Sequence, residues 1–374
     1  MRARLSVACL TALAFVPPAH GGVPNVVARA YFVQDATTGD VLAQRSADEQ
    51  LPIASITKLM TVIVALDRKL PLSAQITVRR PAAAVGESTI HLRVGERISV
   101  ADLLKAALIQ SANDAADALA DQLGPGGEAF VARMNETAQT DGLLRTHFTR
   151  PDGLDAPGHV STARDVTRLA EIAMRIPVVR AIVRQRSARI SGRRTLHTWN
   201  DLLGVFRGLD GVKTGHTGGA GWCQVAEVKR DGLDVYATIL GSPTRSQRNA
   251  DLAALLRWAL SVERPAWVIA PRRVYVRVPT GYGRGAIPLV AARGVVRPVR
   301  VDRTLTEQIS VPDAVSLPVR RGQRLGEVRV LADGRIVARQ PLIAARGASA
   351  PGVVGRVGFY ARRTLSHIGN WFKP

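Results

Sequence analysis

The spacing of apolar and polar residues changes character several times along the chain, and each change marks an element. From residue 31, YFVQDATTGDVLAQRSAD carries two strand-like pieces around a Thr-Thr-Gly-Asp turn and reads as a hairpin. Near Ser55 the repeat becomes helical and continues through KLMTVIVALD. A second helix is expected over residues 100–123, with Asp102 near its start and Gly124-Pro125 ending it. AFVARMNETAQT is helical again. A loop rich in Pro, Gly and Asp follows, and then STARDVTRLAEIAMR (161–175), which opens on a Ser/Thr cap. Strand texture returns in VKTGHT, GWCQVAEVKR and LDVYATILG, with KRDG turning between the last two. NADLAALLRWALSV (249–262) closes the region as an amphipathic helix. Strands at both ends with helices between them predict one sheet assembled from distant segments, an α/β arrangement.

Beyond Glu263-Arg264-Pro265 the pieces shorten to VYVRV, GAIPLVAA and LGEVRVLADGRIVA, which predicts a small all-β domain over 264–346. GASAPG then reads as a linker into the last residues of a 347–374 tail. In that tail Val357, Ala361, Leu365, Ile368, Trp371 and Phe372 gather on one side of a helical wheel, and Arg356, Arg362, Arg363 and Lys373 on the other. The pattern fits an interfacial helix lying on an anionic membrane surface. At the other terminus, Arg2 and Arg4 precede an apolar run over 5–16 that suits a secretory leader and is too short to span a bilayer. Ala28-Arg29-Ala30 offers a small-x-small cleavage site, so residues 1–30 are expected to be removed on export. The main domain then covers 31–263.

Composition sharpens this picture in two places. The formal charge is +21, and residues 264–374 hold 20 Lys and Arg against 5 Asp and Glu. Such an excess implies a polyanionic partner, with nucleic acid, anionic lipid and charged polymer all eligible on charge alone. Cys9 lies in the leader, which leaves Cys223 alone and excludes an internal disulfide. Cys223 itself reads as a small buried hydrophobe.

Three short motifs carry the chemistry. In Ser55-Ile56-Thr57-Lys58 a serine and a lysine three residues apart share a helix face, and a lysine of lowered pKa can take the proton of a serine nucleophile. Ser111-Ala112-Asn113 places a hydroxyl and an amide in an otherwise apolar helix, where both need partners. In LDGVKTGHTGGAGW, a strand through Lys213-Thr214-Gly215 presents Lys213 and Gly215 to one face, and the glycine leaves room for an extended peptide against the backbone. A phosphate loop would need G-x-x-x-x-G-K-[ST], which is absent. His91, His147, His159 and His197 show no metal-ligand spacing, and neither metal nor cofactor is expected.

Taken in order, S-x-x-K, S-x-N and K-T-G resemble the signature of the penicillin-recognising serine enzymes. The flanks ASITKLM, QSANDAADALA, TRPDGLDAPGHVSTARDV, GLDGVKTGHTGGAG and ILGSPTRSQRNADLAALLRW resemble most closely the low-molecular-mass D-alanyl-D-alanine carboxypeptidases of peptidase family S11. The resemblance implies a β-lactamase-like transpeptidase fold, α/β (α+β) in class, followed by the all-β domain. It implies that Ser55 is the acylated nucleophile, Lys58 its base, Ser111 a proton relay, and that Asn113 and Lys213 support them. By the same resemblance the backbone N–H groups of Ser55 and His216 form the oxyanion hole beside Gly215. Thr214 and Arg248 would hold the terminal carboxylate of the substrate, with Arg245 the rival for that role. The implied partners are peptidoglycan stem peptides, β-lactams as covalent inhibitors and the outer face of the cytoplasmic membrane, with no nucleic acid; the location is periplasmic. A D,D-endopeptidase or a β-lactamase of the same superfamily is the alternative. The β-lactamase lacks support, because no E-x-x-L-N stands between Asn113 and Lys213.

Overall fold

The computed structural model describes residues 5–13, 22–123, 127–283, 285–301, 303–353 and 357, and the chain divides into two compact units, 20–262 and 263–374 with 1–19. The first is built on a five-stranded antiparallel sheet in the order Val41–Arg45, Ala30–Asp35, Leu233–Ser242, Gly221–Arg230, Lys213–Thr217. Its two long strands are joined by the predicted KRDG turn, where Asp231 and Gly232 take φ of 53° and 82°. Two residues of positive φ match the twist of the flanking strands.

Because strand side chains alternate, successive residues feed opposite cores. Ala30 and Phe32 enter the larger core with helices Lys58–Asp67 and Ala163–Arg175. Tyr31 and Val33 enter a second core with Leu252, Leu255, Leu256 and Ala259 of helix Arg245–Val262. The sheet is thus covered on both faces, which explains the nearly continuous apolar runs in its central strands. Among the described residues its Lys213–Thr217 edge carries no further strand partner and instead lies against the turn Ala54–Thr57.

One sequence reading changes here. The helix expected over 100–123 is broken into Val100–Lys105, a π-turn Ala106–Gln110, and a new helix Asn113–Leu123. The break falls at Ser111, whose φ of 66° is left-handed. Alanine and leucine propensity favours one helix, but the local need to aim the Ser111 hydroxyl out of it prevails. The residues just before the expected leader boundary at residue 30 are packed into the unit. Ala28 and Ala30 are fully buried, Val26 is nearly so, and the Asp251 carboxylate accepts from the Val27 and Ala28 N–H groups at 2.9 and 3.4 Å. A cut before Tyr31 would remove part of the core.

The second unit holds a six-stranded sheet in the order Leu5–Leu13, Leu305–Pro312, Arg324–Ala332, Arg335–Ala344, Ala286–Ala291, Val274–Pro279, and a ribbon pairing Glu263–Ile269 with Val295–Arg300. Strict alternation of buried and half-buried residues along Leu305–Pro312 directs Leu305, Ile309 and Val311 into its core. The apolar run read as part of a leader pairs antiparallel with this strand over 5–13. The amphipathic tail lies outside the described residues except for 347–353 and Val357. No helix among those described is long and apolar enough to cross a membrane.

Candidate active site

Ser55 lies in the 3₁₀ turn Ala54–Thr57, which leads directly into helix Lys58–Asp67. Lys58 is fully buried, and its Nζ stands 2.8 Å from Ser55 Oγ. The same nitrogen is 2.7 Å from Asn113 Oδ1 and 2.5 Å from the Asp152 carbonyl. Both of those neighbours are acceptors only. A neutral lysine therefore gives its two N–H groups to them and turns its lone pair to the serine hydroxyl. Burial pulls Lys58 down to about 8, with the charges of Asp152, Asp117, Glu87 and Asp114 opposing.

Asn113 is itself held, since Nδ2 donates to the Gly86 carbonyl at 2.9 Å. The Asp152 carbonyl is fixed through its own side chain. That carboxylate is buried, is clamped by Arg150 through two bonds of 2.6 Å, and accepts from the Leu154 N–H at 2.9 Å. Across the site, Lys213 Nζ donates to Ser111 Oγ and to the Thr214 carbonyl, both at 2.8 Å. Lys213 is buried, and desolvation, then the charges of Lys58 and Arg248, hold its pKa well below the usual lysine range.

A cleft of about 180 Å³ lies over this network, lined by Ser55, Ser111, Asn113, Thr214, Gly215, His216 and Arg248. Lys58 and Lys213 are not in its wall. Gly215 is required by packing: a β-carbon there would lie 2.6 Å from the Ile53 carbonyl and 3.2 Å from Ser55 N. Only glycine lets the edge strand approach the nucleophile turn. Arg248 reaches the cleft although only 1 % of its side chain is exposed, and burial lowers it to about 10, so it stays charged at neutral pH. Arg245 does not line the cleft; it forms a two-pronged pair with Asp201 and lies over the Trp199 ring.

Several contributors escaped the motif reading. Asp152 acts through its backbone, and Asp155 ties down the end of the edge strand, accepting from Thr217 Oγ1 at 2.6 Å and Gly219 N at 2.9 Å. Both belong to PDGLD, whose Gly and Asp marked a loop without saying where it docks. Trp199 and Trp222 complete the cleft wall with Glu87 and Ser88, and the His216 ring lies on Trp222 with centroids 3.9 Å apart. Cys223 is fully buried opposite Gly215, and burial raises its thiol to about 11, which suits the hydrophobe read from the sequence. Among the described residues no group of His, Cys, Asp and Glu is arranged to hold a metal.

Residues 18–244 match the peptidase S11 family, described as D-alanyl-D-alanine carboxypeptidase. The chain belongs to this family. It is a serine-type D-alanyl-D-alanine carboxypeptidase, a low-molecular-mass penicillin-binding protein with a transpeptidase fold and a C-terminal all-β domain. It is 33% identical over 370 residues to the D-alanyl-D-alanine carboxypeptidase DacC of Escherichia coli, covering 93% of this chain and 91% of that one. The solved penicillin-binding protein 5 of Haemophilus influenzae matches with a TM-score of 0.67 and 26% identity, over 87% of this chain and 99% of that one. A D-alanyl-D-alanine endopeptidase of Pseudomonas aeruginosa is 34% identical over 277 residues, 68% of this chain and 85% of that protein. Family membership brings with it peptidoglycan peptides as the substrate class and β-lactam binding.

Proposed function

We propose that this carboxypeptidase removes the terminal D-alanine of peptidoglycan stem pentapeptides through an acyl-enzyme on Ser55. Ser55 Oγ attacks the carbonyl between the two D-alanines as its proton passes to neutral Lys58. The tetrahedral oxyanion is held by the N–H groups of Ser55 and His216. Collapse breaks the C–N bond, and the leaving amine takes a proton relayed through Ser111, beside Lys213. Water then attacks the ester, which frees the shortened peptide and restores the Ser55 hydroxyl. Asn113 orients the substrate backbone, while Thr214 and Arg248 receive the free carboxylate. The single observation that carries this reading is the 2.8 Å contact between Ser55 and a buried lysine whose other neighbours are acceptors.

Release of D-alanine from a pentapeptide-bearing muropeptide tests it, with Ser55→Ala as the control. Turnover by that variant would remove the acyl-enzyme. β-Lactams, as mimics of the same dipeptide, are expected to block Ser55 in the wild-type protein only. A cross-linked muropeptide supplied in parallel reads any endopeptidase activity, the second reading favoured by the likeness to the Pseudomonas enzyme.

The proposal extends to location. An apolar leader with two preceding arginines supports export to the periplasm, and the amphipathic tail with the basic 264–374 region supports attachment to the anionic outer face of the cytoplasmic membrane. Vesicle co-sedimentation of the full chain against a truncation after Gly347 checks the attachment; equal binding by both would exclude the tail as anchor.

A further inference from the structure

Asp201 has no part in the mechanism above, yet it gathers the positive end of the cleft. Its Oδ2 accepts from Arg248 Nη2 at 3.2 Å, from Asn249 Nδ2 at 2.8 Å and from Arg245 Nε at 2.7 Å, while Oδ1 takes the second prong of Arg245. Asn249 closes the ring from the other side, its Oδ1 accepting from Arg248 Nη2 at 2.7 Å and Nε at 3.1 Å. These bonds occupy Nη2 and Nε of Arg248; none of them uses Nη1. Asp201 is absent from the cleft wall, so it reaches substrate only through the arginine.

We propose that Asp201 is a positioning residue that sets how strongly Arg248 selects a free substrate carboxylate. The inference rests on Arg248 as the carboxylate receptor. Its physical basis is a charge count. Two guanidiniums and one carboxylate leave a single uncompensated positive charge, which one terminal carboxylate neutralises. Without Asp201 the charge of Arg248 faces the carboxylate unscreened, with Arg245 adding to it from behind the cleft wall, and the bonds that orient the Arg248 fork are lost from one side. Asp201 therefore both aims Arg248 and weakens its pull, which leaves the site tolerant of substrates whose last residue ends in an amide.

The test compares an acylated D-Ala-D-Ala peptide with the same peptide ending in a carboxamide, using the full-length protein. Asp201→Asn keeps a hydrogen-bonding group but removes the charge. It is expected to raise the acid-to-amide ratio of kcat/KM roughly five- to tenfold, through a lower KM for the acid alone. An unchanged ratio, or an equal loss on both substrates, would overturn the inference and leave Asp201 as packing. Arg248→Gln separates the two levels of argument. A ratio unmoved by that change removes Arg248 as the receptor, whereas a ratio collapsed by Arg248→Gln but indifferent to Asp201→Asn defeats only the role given to Asp201. Asp201→Ala, which loses the orienting bonds as well, is expected to lower kcat on the acid substrate, with recovery in Asp201→Asn.

Discussion

A β-carbon placed on Gly153 would lie 2.3 Å from the carbonyl oxygen of Ala54, the residue that precedes Ser55. Gly153 also holds a φ of 82°, so both space and backbone demand glycine. This contact lets the loop that offers the Asp152 carbonyl to Lys58 dock beneath the Ser55 turn. Gly153→Ala is expected to cut acylation by a labelled penicillin at least about tenfold and to lower the melting temperature. Gly158→Ala serves as the comparison, because Gly158 has a φ of 76° and its nearest neighbour is a His147 ring nitrogen at 3.8 Å. It should cost only the left-handed backbone term, about 1–2 kcal/mol, and leave acylation intact.

Acylation should also follow the protonation of Lys58. With its pKa near 8, only roughly a tenth of the lysine is neutral at pH 7, and in the proposed mechanism the neutral form accepts the serine proton. The acylation rate is therefore expected to climb from pH 6, reach half its maximum near pH 8 and level off above about pH 9. Stopped-flow acylation across that range checks the claim, and a rate flat from pH 6 upward would show that Lys58 is not the limiting base.

His159 supplies a separate pH dependence, of stability. Its Nδ1 accepts from the Thr149 N–H at 3.1 Å, which assigns the proton to Nε2, 2.8 Å from Thr57 Oγ1. Burial pushes the folded pKa to about 4 from 6.5. Below pH 6.5 the unfolded chain binds a proton that the folded one refuses, so stability falls as pH drops from 6.5 to 4, by roughly 3 kcal/mol in full. Above 6.5 the group contributes no slope. Melting curves should show this decline in the wild type and a shallower one in His159→Gln; parallel curves would contradict it.

The end of the leader can be measured directly. Asp251 binds the backbone at Val27 and Ala28, and Ala30 begins a core strand. The mature protein is therefore expected to start upstream of Val26, and Ala19-His20-Gly21 provides small residues at the required spacing. Intact mass of the exported protein decides this. A mass starting at Tyr31 would mean that the fold tolerates the loss.

What the sequence displays well is whatever is periodic or contiguous. The five strands of the main sheet, the closing helix near 249–262 and the three motifs all rest on local patterns, and the structure brings the motifs together. The features that stayed hidden depend on contacts distant in sequence. Nothing near Asp152 marks its carbonyl as a partner for a lysine 94 positions away. Asp201 reads as an ordinary loop acid until Arg245, Arg248 and Asn249 surround it. Ser111 misleads in the opposite sense, since its neighbours are good helix formers and only the site explains the break. Alanines suited to a cleavage site are equally suited to a tight core, so the sequence at Ala28 and Ala30 reads the same way for either role.

The open edge at Lys213–Thr217 is five residues long, and at about 3.4 Å per residue it spans roughly 17 Å. That length works as a ruler. A peptide laid along it in the proposed mode would be gripped over a handful of residues at its end, and whatever it hangs from would lie beyond this edge. Two stem peptides with the same last residues would then be equivalent to this edge, whether they dangle from a loose strand or from a dense mesh. On the proposed binding mode, the surrounding polymer would govern the reaction through access to the chain end.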